Sequence, residues 1–169
     1  MFRRVRRGLT YGATIWRALA SPSQRRLLRR MIAFSRALPE QFEQPLPAMM
    51  AELTPEPQPQ PPLQPATVRR LADAVAGWHL TSPLGICLRR SLLRYYFLRE
   101  ANLPVTIVFG ARLKDDRAGG GLGGHAWLTL GGQPYYENPA DYAGFAPMYA
   151  YPAAGKQGNV DLASKVQSP

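Results

Sequence analysis

Cys87 is the single cysteine of the chain and stands in LGICLRRSLLRYYFLRE, residues 84–100, just after Pro83 and Gly85 interrupt the backbone. If that run is a helix, Cys87 falls in its first turn, where unpaired N–H groups and the helix dipole favour a thiolate. A packing cysteine gains nothing from that place; a nucleophile does. A nucleophilic thiol needs a base within reach and a third group to orient the base. The sequence offers His125, in GGHAWLTL, and Glu137, in QPYYEN, twelve residues further on. Taken singly, each has a plainer reading: a small core residue, a packed imidazole, a charge at a strand end. In this order and on these elements they form the parts of an acyl-transfer site.

The elements that must position them follow from the residue pattern. VRRLADAVAGWHL after Thr67 reads as a capped helix with Val68, Leu71, Ala72 and Val75 inward, and the Cys87 helix comes next. VTIVFGARL is β-branched and apolar, as a buried strand requires; KDDRAGGGLGG is a loop; HAWLTL is a second strand, and Gly131-Gly132 turns the chain into a third, QPYYEN. The sequence therefore predicts an α+β fold, two helices packed on three antiparallel strands. The hairpin brings His125 and Glu137 to the open end of one ladder. Alternation places Tyr135, Glu137 and Pro139 on one face and Trp127 on the same face as His125, while Asp141 lies past Pro139, beyond the expected ladder.

Ahead of these elements, residues 1–44 read as a basic amphipathic helical segment. In SQRRLLRRMIAFSRAL the stripe Leu27, Leu28, Met31, Ile32 and Leu38 is backed by Arg25, Arg29 and Arg36. Residues 45–66, dense in proline, read as a PPII linker, residues 67–150 as the catalytic domain and 151–169 as a tail. The net charge is +10, and ten arginines precede Glu40, the first acidic residue. No helix-turn-helix, zinc-finger or RNP-like pattern accompanies them, so nucleic acid is not the expected partner. A solvated basic helix is the favoured reading, ahead of a docking surface for an acidic partner or a membrane. RRVRR followed by GLTYGATIW imitates a secretion signal poorly, because its apolar stretch is short and broken by Arg17. One cysteine and two histidines, His79 and His125, lack the spacing of a zinc site. No metal or cofactor is expected, and a reducing, cytoplasmic setting is.

From about Val68 to Tyr149 the chain resembles the leader peptidases of lasso-peptide biosynthesis, a branch of the transglutaminase-like cysteine-protease superfamily. The resemblance rests on CLRRSLLRYYFLREANLPVTIVFGARL, on GHAWLTLGGQP and on the acid of YEN, and SPSQRRLLRRMIAFSRALP fits the lead-in of stand-alone members. It implies a transglutaminase-like or papain-like core and a triad of Cys87, His125 and Glu137. The chain has Arg89 where many members carry Pro, Glu rather than Asp as the third residue, and a longer loop before HAW.

The function so implied is removal of the leader from a ribosomally made precursor peptide, so that a separate lasso cyclase can use the new N-terminus. The first sixty residues contain no run of strands like the small winged recognition domain fused to some members, so a separate leader-recognition protein is the expected partner. It would dock on the exposed part of the N-terminal helix or near Tyr95 and Tyr96. The alternatives are a transglutaminase-like acyltransferase or amidase with the same triad, and a non-catalytic peptide-binding scaffold.

Overall fold

The computed structural model describes residues 2–56, 58–59, 63–78, 83–114 and 121–153, with side chains from Thr10 onward. Five helices, α1 (Phe2–Leu19), α2 (Pro22–Gln41), α3 (Leu46–Glu52), α4 (Pro65–Trp78) and α5 (Ile86–Glu100), precede the strands β1 (Val105–Leu113), β2 (Leu122–Leu130) and β3 (Gln133–Pro134). A short α6 (Pro139–Tyr142) and an edge strand β4 (Ala146–Tyr151) follow. The sheet is antiparallel in the order β3-β2-β1-β4, so the architecture is α+β. Among the described residues no helix is long and apolar enough to cross a membrane.

α5 is the central element. Leu92, Leu93, Tyr95, Phe97 and Leu98 are buried on nearly all sides of it, against α2, α4 and the sheet. A helix with four arginines tolerates this because their guanidinium groups find acceptors. Arg94 chelates Asp73 of α4 through Nε (2.6 Å) and Nη2 (2.9 Å), Arg99 donates to the Val105 carbonyl, and Arg89 to the Leu84 carbonyl. The sheet supplies Val105, Ile107 and Leu128 to the core, and α2 supplies Leu27, Leu28, Met31 and Leu38 from its expected stripe.

Four expectations are corrected. The proline-rich stretch expected as PPII contains α3, whose Met49 and Met50 are fully buried. Pro47 sits in its first turn, where a missing N–H costs nothing, and LPAMMAE is otherwise compatible with helix. This segment is fastened to α5: Thr54 Oγ1 and the Tyr95 hydroxyl lie 2.7 Å apart, and the Gln58 amide donates to the Glu100 carbonyl. Tyr95 is therefore inside, and no docking surface can include it; Tyr96 packs on Phe34. The third strand is two residues long rather than six, because the backbone turns left-handed at Tyr136 (φ 51°) and leaves the ladder. β2 begins at Leu122, so Gly123 and Gly124 belong to the strand and not to the loop. β4 has no counterpart among the expected elements. The rest of the expected loop, residues 115–120, His79 and the tail from 154 onward lie outside the described residues.

Candidate active site

Gly85 is the N-cap of α5, so Cys87 occupies the first turn as its sequence context requires. One turn further along the same helix face, Ser91 Oγ donates to the Ala126 carbonyl at 2.8 Å. That buried bond pins α5 to β2 beside His125 and fixes which part of the strand the thiol meets. Cys87 is half-buried, and Gly85, Cys87, Leu88, Phe109, Gly110, Gly124, His125 and Ala126 surround one pocket of about 300 Å³.

Strand alternation sends Ala126 and Leu128 toward α5 and sets His125 and Trp127 on the other face, across from Gly110 and Val108. The pocket straddles the two faces at the end of the sheet, where Gly110 and Gly124 carry no side chain. At Gly110 this bareness is compulsory: a Cβ there would stand 2.6 Å from the Trp127 ring and 3.0 Å from the Ala146 carbonyl oxygen. The imidazole lies in an aromatic cluster, 6.0 Å from Trp127 and 5.2 Å from Phe145 between ring centres, and Tyr142 stacks in turn on Trp127. The shared face of His125 and Trp127 is as the sequence reading has it. Among the described residues His125 Nε2 is buried without a hydrogen-bond partner, and buried polar atoms of that kind are rare where packing alone is at stake. Burial, reinforced by the charges of Arg90 and Arg112, holds the imidazole below its ordinary pKa, while Asp141 of α6 pulls the other way. Among the described residues no hydrogen bond joins the thiol to the imidazole.

Glu137 stands elsewhere. Its side chain is 1% exposed and accepts from Arg94 Nη1 and Arg90 Nη2, each at 2.9 Å, and from the Leu128 amide. Burial pushes its carboxyl above the usual range against the pull of those donors. With Asp73, Arg69 and Arg94 it completes a buried ion network joining α4, α5 and the turn after β3; the Arg69 guanidinium lies 4.0 Å from the centre of the Tyr136 ring. Cys87 and His125 thus share a pocket, and Glu137 is engaged by arginines instead of the imidazole. The sequence reading contained no such network. Asp73 at i+4 from Arg69 was its one local signal, and the pairing with α5 is purely tertiary.

A family model described as the transglutaminase-like superfamily matches residues 25–150, three quarters of the chain. The chain belongs to the transglutaminase-like superfamily. Among curated proteins and solved structures none matches it significantly. The superfamily match begins inside α2 and ends in β4, so in this transglutaminase-like chain α2, α3 and the edge strand fall within the matched span along with the helix and hairpin that carry Cys87 and His125.

Proposed function

We propose that this transglutaminase-like chain is a cysteine endopeptidase that removes the leader from a lasso-peptide precursor. The observation that carries the enzymatic reading is the pocket lined by both Cys87, at a helix start, and His125, whose Nε2 has no partner among the described residues. The choice of substrate rests on the resemblance carried by the Cys87 helix, GHAWLTLGGQP and YEN.

His125 takes the thiol proton as Cys87 Sγ adds to the scissile carbonyl. The first-turn amides of α5, which have no intrahelical acceptor, are placed to receive the oxyanion. Collapse breaks the C–N bond, the imidazolium returns its proton to the leaving amine, and the core peptide departs with a free N-terminus. Water, deprotonated by His125, then hydrolyses the thioester, releasing the leader carboxylate and restoring the thiol. For the first proton transfer the thiol and imidazole, which line one pocket, must come into hydrogen-bond contact, a tightening that apo sites commonly leave to substrate. An amine in place of water would make the same thioester the intermediate of an acyltransferase.

The resemblance gives the orienting role to Glu137, which completes the proposed triad and would have to leave its bonds to Arg90 and Arg94 to bond the imidazole. A second reading gives the role to Asp141. It is supported by the favourable charge of Asp141 at His125 and by the contact of its neighbour Tyr142 with Trp127. A separate recognition protein delivering the leader, and a cyclase consuming the product, complete the proposal.

The test is to incubate wild type and Cys87→Ala with precursor and recognition protein and weigh the products. Wild type releases leader and core, and Cys87→Ala releases neither while keeping its circular dichroism spectrum. An active Cys87→Ala ends the peptidase reading. A thioester trapped by added amines in preference to water moves the chain to the acyltransferases.

A further inference from the structure

On the helical side of the molecule an apolar groove of about 370 Å³ lies open between Ile15 and Leu19 of α1, Leu28 and Ile32 of α2, and Val75 and Trp78 of α4. It is fixed in place: the Tyr11 ring of α1 rests on Gly77 of α4, where a Cβ would come within 2.5 Å of it. Two indoles stand out beside the groove, Trp16 with 77% and Trp78 with 64% of its surface exposed, and Leu19 is 44% exposed. Burying such side chains individually is worth about 1.5–3 kcal/mol, so leaving three uncovered in one region is unusual for a surface that faces only water.

The charges around the groove say what covers it. Arg25, Arg29, Ile32 and Arg36 fall at i, i+4, i+7 and i+11, on one face of α2. Arg36 lines the groove itself. All three arginines are exposed, and none forms an ion pair among the described residues. An acidic peptide would use the arginines and leave the indoles idle. An anionic bilayer surface uses both, because Trp settles at the headgroup boundary and arginines pair with lipid phosphates while their stems lie along the apolar layer. We propose that this groove and its arginine rim dock the protein on an anionic membrane surface, peripherally, with Trp16 and Trp78 inserted among the headgroups. The proposal is independent of the catalytic reading.

The full-length chain should float with vesicles of phosphatidylglycerol and phosphatidylcholine, with a blue shift of tryptophan emission, and not with phosphatidylcholine alone. Each arginine near an anionic surface is worth roughly fivefold in partitioning, so Arg25→Gln, Arg29→Gln and Arg36→Gln together should weaken flotation by about a hundredfold. Trp16→Ser with Trp78→Ser should weaken it at least ~10-fold and abolish the blue shift. All five side chains are exposed, and circular dichroism checks that the fold persists. Absence of flotation with anionic vesicles overturns the proposal. So does flotation unchanged by loss of both indoles, or equally tight binding to soluble polyglutamate or RNA without a blue shift, since each would mean adsorption by charge alone.

Discussion

His125 carries opposing influences that can be separated one residue at a time. Its pKa is lowered, so the neutral base persists below the ordinary imidazole value near ~6.5, and the acidic limb of kcat/KM should lie below that value. Arg112 is exposed and acts through its charge; Arg112→Gln should move the limb up. Removing the carboxylate with Asp141→Asn should move it further down, and NMR titration of the assigned imidazole reads both shifts directly. Folding stability has the matching sign: present above the unfolded imidazole pKa, it falls as pH drops toward the lowered folded value. Glu137 is a different case, because it completes a buried network. Glu137→Gln leaves Arg94, whose side chain is 4% exposed, short of compensating charge and should cost about 3 kcal/mol in a denaturant titration. If Glu137 also orients His125, processing by the folded variant should drop by ~10²–10⁴ with Asp141→Asn mild. The reverse order of rates transfers the role to Asp141.

At the level of elements, the parts that position Cys87 and His125 were legible because each obeys a local rule. Gly85 caps α5 as the break before Cys87 demands, VTIVFGARL is β1 to the residue, and the double glycine turns β2 back. What was not legible was decided by tertiary contacts. α3 hides in a proline-rich run because two prolines at its start are permitted and Met49 and Met50 then find a core to enter. β4 hides in APMYAY because only its pairing with β1, across a bulge at Phe109 and Gly110, makes it a strand. β3 stops early for a reason no alternation reveals, the left-handed turn at Tyr136 that carries Glu137 away from the ladder and toward α5. Met49→Ala tests the standing of α3: for a fully buried methionine we expect a loss of about 2–5 kcal/mol by chemical denaturation, whereas an accessory strap would lose well under 1.

For the molecule as a whole, α2 and α3 are core and not appendage. Leu28, Met31, Leu38, Met49 and Met50 belong to the same buried cluster as Leu93 and Ile107. A chain beginning at residue 67 should therefore fail to fold cooperatively, giving no sharp thermal transition, although it retains Cys87, His125 and Glu137. Among the described residues the sheet ends at β4, which has a neighbour on one side only. An outer strand of this kind presents spare backbone donors and acceptors that another copy can extend into a shared sheet. Here Pro147 removes one amide donor from the strand and the bulge opposite it breaks the regular spacing, although Met148 beside it is largely exposed. The same two irregularities that make β4 hard to recognise as a strand make it a poor template for aggregation.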